Sequence, residues 1–362
     1  VSQIPAPTAS AILSRTKTLH VLETLVVGTA GGALFVWANL PGGLISGAMI
    51  AVGIAVIAGR PLMMTPFLTQ TVLVLLGISL GSLVSRQLLQ HMGAYPLTIA
   101  LLALATFCST FCSSIYLQRI HGWDRTSAFL AGSPGALSQI TMLAAEKGAD
   151  VPAIAVVQSV RVILLTAALP LLLALTGMTP SAPPTGVAAA IASPLELIEL
   201  IAASVMAALV LRLIKFPASW MFGAMIGSGV LHGIGLIEGG LPPWARAAAL
   251  VGIGALIGTR FARTSIRTLL SHVNAALGSF AIAIIISAVF VAVIALTTPV
   301  RLADVIVAFA PGAMDAMLAL ALTLHIDPIF VGAHHLSRFV FVTIAAPGIV
   351  HLFGRPQEDV DD

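Results

Sequence analysis

The sequence predicts an all-α integral membrane protein made of two inverted repeats, with about ten transmembrane helices and two re-entrant or broken helices. Three observations predict it: an apolar composition, a long internal repeat at one offset, and the placement of lysines and arginines. Of 362 residues, 58% are hydrophobic and 9% charged, and the mean hydropathy is +1.06. Soluble globular chains carry about 25% charged residues. A soluble fold could not hide this much apolar surface, so lipid is expected to be the solvent and a standing partner. The net charge is +3, and no basic run with interleaved aromatics occurs, which argues against nucleic acid as a partner.

The elements follow in order. Residues 1–18 read as a lead-in carrying Arg15 and Lys17. The apolar stretch 19–38 that follows exceeds the roughly 7–15 residues of a signal-peptide core and has no small-x-small cleavage site. It is expected to be the first membrane helix. Repeat 1 spans 19–174, with apolar segments near 19–38, 42–59, 66–84, 94–117, 125–147 and 151–173. A linker, 175–191, is rich in small residues, Pro and Gly. Repeat 2 spans 192–352, with segments near 192–214, 218–237, 244–262, 274–297, 302–325 and 328–352. The tail 353–362 is acidic.

The repeat rests on unlike residue types in one register. At an offset of 177, Gly77 and Gly81 fall on Gly254 and Gly258, and Arg86 falls on Arg263. Pro134-Gly135-Ala136 falls on Pro311-Gly312-Ala313, Asp150 on Asp327, Arg161 on Arg338, and Pro170 on Pro347. Nearer the start of each half the offset is 176, pairing Pro41 with Pro217 and Gly47-Ala48-Met49-Ile50 with Gly223-Ala224-Met225-Ile226.

The fifth segment of each half is interrupted by Pro-Gly. Proline clashes with the preceding helical turn and glycine loosens the backbone. Each flank is then about 10–13 residues, roughly 15–20 Å of helix and half a bilayer. If both fifth segments dip in and return, each half crosses five times and the halves are inverted. With the N-terminus inside, the inner loops then hold 12 lysines and arginines and the outer loops 3. If all twelve segments cross, the division is 8 against 7. Cytoplasmic loops collect positive charge, so the inverted arrangement with both termini cytoplasmic is the expectation. Trp37, Trp123, Trp220 and Trp244 fall at segment ends, where an interfacial belt is expected. Cys108 and Cys112 share one helix face and read as packing residues.

Inverted repeats with broken helices recur in secondary transporters, which hold substrate near the midplane. A half-helix starting mid-membrane directs N–H groups and a positive dipole end inward, which suits an anion. Gly135 and Gly312 mark two such starts. Arg161 and Arg338 fall mid-helix, where a cation normally faces a cavity or a partner. Two readings stand open for them: binding a substrate carboxylate, or bracing the breaks through an ion pair with Asp315, Glu146 or Asp150. Asp315 reads either as a cation-coupling carboxylate or as a partner for Arg338, and its counterpart is Ser138. Ser133, Ser138, Gln139 and Thr141 offer polar contacts, with a helix N-cap as the plainer role for Ser133. Asp150 and Asp327, beside Pro152 and Pro328, read as N-caps. His335, matched by Gln158, and the adjacent His334 lie a turn from Arg338, and either a proton shuttle or a structural role suits them. The Gly-x-x-x-Gly pairs read as helix packing sites.

The blocks from Gly132-Ser-Pro-Gly-Ala-Leu-Ser-Gln139 to Gly148-Ala-Asp150, the helix Val156-Val-Gln-Ser-Val-Arg161, and their second-half echoes resemble the AbrB membrane protein family. That family is unrelated to the small DNA-binding regulator of the same name. The resemblance covers nearly the whole chain. It implies a duplicated domain, a bacterial inner-membrane location, and a transport or regulatory role. Its members typically follow Pro-Gly-Gly with an acidic residue in the first half, where this chain has Pro-Gly-Ala, Ser138 and Gln139. Some members carry the label ammonia monooxygenase. Here His325, Asp327, His334 and His335 are the only ligand cluster, with His334 and His335 on different helix faces, a poor set for copper. The expectation is therefore a non-enzyme without cofactor or metal: a secondary transporter of a small organic anion, a carboxylate or amino acid, coupled to H⁺ or Na⁺. The competing reading is a non-transporting membrane ligand sensor. A homodimer is expected by analogy with other inverted-repeat carriers. Substrate contacts are expected from Ser133, Gly135, Ser138, Gln139, Arg161, Gly312 and Arg338, and ion coupling from Asp315 and His335.

Overall fold

A computed structural model describes residues 9–83, 95–134, 137–178, 191–263 and 266–353. Helices dominate the described residues. The first half contributes α1 (Ala9–Trp37), α2 (Gly43–Ile57), α3 (Pro66–Gly81), α4 (Tyr95–His121), α5 (Arg125–Gly132), α6 (Leu137–Glu146) and α7 (Val151–Leu175). The second contributes α8 (Pro194–Leu213), α9 (Ser219–Gly233), α10 (Pro243–Gly258), α11 (Ile266–Thr297), α12 (Leu302–Phe309), α13 (Met314–Thr323) and α14 (Pro328–Phe353). Among the described residues six stretches are long and apolar enough to cross a membrane: Lys17–Trp37, Tyr95–His121, Val151–Leu175, Pro194–Leu213, Ile266–Thr297 and Pro328–Ala345. The chain is a helical membrane protein. Two of its apolar helices leave most of their surface uncovered by protein: α1 and α8 each bury only 17% of their most apolar stretch.

The compact units do not follow the two halves of the chain. One unit gathers residues 1–82 and 188–263, and the other gathers 83–187 and 264–362. Each half therefore places its first three helices in one unit and its later helices in the other.

In the first unit the matched glycines of the two halves pack reciprocally. A Cβ on Gly77 or Gly81 of α3 would strike the backbone of α9 at Met221 and Met225. A Cβ on Gly254 or Gly258 of α10 would strike the backbone of α2 at Ile45 and Met49. Glycine at these four positions lets helix backbones approach, which replaces the hydrophobic drive that lipid does not supply. The turns match as well. Asn39 and Lys215 both close a helix in the left-handed region, at φ 52° and 56°, and Gly42 and Ala218 both open the next one there, at φ 67° and 46°. Thr65, Ser193 and Glu196 cap α3 and α8, the latter pair as a reciprocal capping box.

In the second unit α4 is the ruler. Its 27 residues span roughly 40 Å. Its buried face is rich in hydroxyls: Thr98, Thr106, Ser109, Thr110, Ser113 and Ser114. At its C-terminal end three residues connect it to α5, and Asp124 caps α5 by accepting from the Ser127 amide at 2.8 Å. Gly132, at the far end of α5, packs against Thr110, Ser113 and Ser114, partway along α4. The chain then folds back, because the Asp150 amide donates to the Ser127 hydroxyl at 2.9 Å. The pair α5–α6 thus starts and finishes at one level. The pair α12–α13 does likewise: the Asp327 amide donates to Asp304 Oδ1 at 3.0 Å. Its base lies at the other end of α4, where Tyr95 packs edge-on against Phe330 at 5.4 Å and Thr98 meets His334 at 2.9 Å. The two broken pairs therefore approach from opposite ends of the same helix. The connections that follow them match too, with Gly148 at φ 64° and His325 at φ 53°.

Candidate functional site

A helix that stops in an apolar interior leaves its last four carbonyls without donors. The structure meets this at both breaks with side chains from the unbroken helix beside them. For α5, Ser133 Oγ donates to Phe129 O at 2.8 Å. Gln158 Nε2 donates to Leu130 O at 3.0 Å and to Ser133 O at 3.3 Å. Arg161 Nη2 donates to Ala131 O at 2.7 Å and, more weakly, to Gly132 O at 3.5 Å. For α12, His335 Nε2 lies 3.0 Å from Val307 O, and Arg338 donates to Ala310 O at 2.6 Å and Ala308 O at 3.0 Å. A carbonyl only accepts, so His335 carries a proton on Nε2. Gln158 and His335 do the same task at matched positions.

The arginines sit deep, Arg161 at 2% exposure and Arg338 at 4%. Each leaves its Nε buried with no hydrogen-bond partner among the described residues. Neither pairs with a carboxylate there: the ion pairs made are Arg60–Glu23 and Arg301–Asp304. The brace expected from Asp315, Glu146 or Asp150 is thus replaced by one through helix carbonyls. The two guanidinium groups lie within electrostatic reach of one another. So the structure gathers two like charges at two opposed breaks.

The other expected site residues distribute as follows. Ser133 is buried and closes α5; its hydroxyl points back to that helix, so it is not the N-cap of α6. The reason is that the break intervenes before α6 begins. Gly135 lies outside the described residues, as do the side chains of Ser138 and Gln139 in α6. Gly312 is half-buried, and its amide donates to Ala310 O at 2.8 Å, so it is turned toward the α12 terminus. Asp315 stands half-buried in the first turn of α13, where the positive helix end favours a carboxylate. Asp150 and Asp327 are N-caps, the first accepting from Ala153 at 2.9 Å, the second from Ile329 at 2.8 Å and Phe330 at 3.1 Å. His334 and His335 do not form a pair. His334 Nδ1 donates to Phe330 O at 2.7 Å and its Nε2 faces Thr98 Oγ1, while His335 turns to α12.

Beside the α5 break lies a small cavity of about 70 Å³, bordered by Thr106, Thr110, Phe129, Ser133, Phe341 and Val342. Ligand pockets usually measure about 300–1,000 Å³. The arginines are enclosed in this conformation, so contact with a solute requires the broken pairs to move. Cys108 and Cys112 on α4 are free thiols. Among the described residues no group of three or more His, Cys, Asp or Glu could hold a metal ion.

Sequence reasoning missed the Arg301–Asp304 ion pair and the packing of Tyr95 on Phe330. Aligning the halves would have flagged both, since Asp304 stands where the first half has Ser127, and Tyr95 where the second has His272.

The family model described as "Transition state regulatory protein AbrB" matches residues 44–354. A curated relative, an uncharacterized protein YhjN of Bacillus subtilis (strain 168), is 27% identical over 307 residues. The match covers 78% of this chain and 79% of that protein.

Proposed function

This chain belongs to the AbrB family, and we propose that it is a secondary transporter of a small organic anion, a carboxylate or amino acid. One observation carries the reading: two buried guanidinium groups at opposed helix breaks, with no carboxylate paired to either among the described residues. A buried charge is costly unless it is met, and a mid-membrane arginine costs at least about 2.5–3.5 kcal/mol. The carbonyl end of each half-helix offsets only about half a charge. A solute anion supplies the remainder. The amide ends of α6 and α13 add to the attraction.

In this reading the broken pairs are re-entrant hairpins from opposite membrane faces, and ten helices cross. Helices of 15–16 residues such as α2, α3 and α10 cross by packing in the protein interior and thinning the local bilayer. The protein sits in a bacterial inner membrane with both termini cytoplasmic, as a homodimer. Alternating access moves the unit bearing the broken pairs, opening the arginines to each side in turn. Uptake is coupled to H⁺ or Na⁺.

Purified protein in proteoliposomes, offered labelled carboxylates and amino acids, tests the proposal. Saturable uptake of one anion class is expected, and it should disappear in Arg161→Lys and Arg338→Lys, which keep the charge but lose the planar fork. A ligand at about 100 times its Kd should also add roughly 2.7 kcal/mol to the folded state. Unchanged uptake in both lysine variants sinks the carrier reading. Stabilisation by an anion without any uptake turns the site into that of a ligand sensor.

A further inference from the structure

The base of the second broken pair holds charged and polar groups that the first lacks. Asp304 and Asp327 are both buried, at 4% and 7% exposure. Arg301 binds Asp304 through both oxygens, at 2.8 and 2.9 Å, and Asp304 Oδ1 also accepts the Asp327 amide at 3.0 Å. Among the described residues Arg301 pairs with Asp304 alone, and the Asp327 carboxylate lies within electrostatic reach of both. Asp327 Oδ1 accepts two backbone amides at the start of α14, and no donor meets its other oxygen among the described residues. Over the same turn stands Tyr95, from α4, at 6% exposure. Its ring packs edge-on against Phe330 at 5.4 Å and His334 at 6.0 Å. Its hydroxyl is buried with no partner, although both carboxylates lie within electrostatic reach. A buried hydroxyl without a partner calls for an explanation, and a bound ion is one.

We propose that Asp327, with Asp304 and the Tyr95 hydroxyl, forms a proton-binding site at the base of the second broken pair. Two carboxylates within electrostatic reach of each other and of one cation favour keeping one proton. The groups around Asp327 are Asp304 and Arg301 from α12, Tyr95 from α4, His325 on its own connection, and His334 on α14. The free oxygen of Asp327 takes the proton, and the Tyr95 hydroxyl donates to that oxygen once the proton has left. Among the described residues the first broken pair has no such site: its equivalents of Asp304 and Arg301 are Ser127 and Asp124, and Asp150 caps α7. Burial raises the Asp327 carboxyl above the ordinary range, against the pull of the Phe330 amide. Binding of the proton stands by itself; its use as the coupling ion rests on the carrier reading.

The test is thermal unfolding of the full chain in detergent as a function of pH. A carboxyl raised in the folded state holds its proton more tightly than in the unfolded chain. Its stabilisation is complete below the ordinary aspartate pKa and is lost as pH rises through the folded value. Wild type should lose stability over that window, and Asp327→Asn should lose this slope while keeping its cap, since Asn caps as well as Asp. Asp150→Asn should track wild type. Tyr95→Phe should move the transition to higher pH, because it removes a donor to the charged form. Infrared titration of wild type and Tyr95→Phe reads the same carboxyl without relying on Asp327→Asn folding. Equal pH profiles for wild type, Asp327→Asn and Asp150→Asn would overturn the proposal, as would an unmoved infrared transition in Tyr95→Phe. Neither result touches the anion-uptake test.

Discussion

The two broken pairs solve one problem with different chemistry. At the base of the first, a neutral hydroxyl holds the returning chain: the Asp150 amide donates to Ser127. At the base of the second, a buried carboxylate with its own arginine does so, through Asp304 and Arg301. At the tips, Gln158 and Arg161 cap α5, and His335 and Arg338 cap α12. The shared part is the geometry of a half-helix that must stop inside an apolar unit. The part that differs is ionisable, and it is concentrated in the second pair. The difference places a bidentate ion pair in the second base where the first has a hydroxyl.

The largest expected effect comes from the tips. Each orphaned buried carbonyl costs about 1–3 kcal/mol. Arg338 holds two carbonyls firmly, whereas Arg161 holds one firmly and shares its helix end with Gln158 and Ser133. Arg338→Leu should therefore lower stability by roughly 2–5 kcal/mol and Arg161→Leu by less. Denaturant unfolding in detergent reads the difference, and a larger loss in Arg161→Leu would break the comparison. A middle-sized effect comes from exchanging caps. His335→Gln copies the first pair and should stay within about 0.5 kcal/mol of wild type, while His335→Leu should lose about 1–3 kcal/mol by orphaning Val307 O. A costly His335→Gln would show that the imidazole does more than cap. The smallest effect concerns turns. Ala218 and His325 adopt positive φ where the first half has Gly42 and Gly148. Ala218→Gly and His325→Gly should each gain up to about 1 kcal/mol in melting experiments, since the left-handed region costs other residues roughly 1–2 kcal/mol.

Much of this was legible in the residue order because the repeat was. The described helices stop before and restart after both Pro-Gly sites, and Arg161 and Arg338 bind the carbonyls that end α5 and α12. Asp150 and Asp327 cap the helices that follow. The Gly-x-x-x-Gly pairs are close-packing sites, and their partners are the matched Gly-Ala-Met-Ile stretches of the other half. What spacing could not supply was the partner of each polar group. The arginines were open to carboxylate partners because their separation from Asp315 and Asp150 in sequence permits contact. The carbonyls they bind belong to helix ends, and backbone groups leave no mark in the residue types. Ser133 was misplaced by one helix for a related reason, since Ser-Pro-Gly suits either the end of α5 or the start of α6.

The sequence by itself determined that this is a helical membrane protein, because composition and apolar segment length are properties of residue order. It also determined where helices break, because proline and glycine act on the backbone locally. The tertiary structure alone decided which groups meet. It packed Tyr95 against Phe330 in the first turn of α14, and it divided each half between two compact units. It also turned the arginines to helix ends and placed the two bases at opposite ends of α4. These are contacts between residues tens to hundreds of positions apart, selected by packing and by the need to satisfy every buried polar group, and no local pattern encodes them.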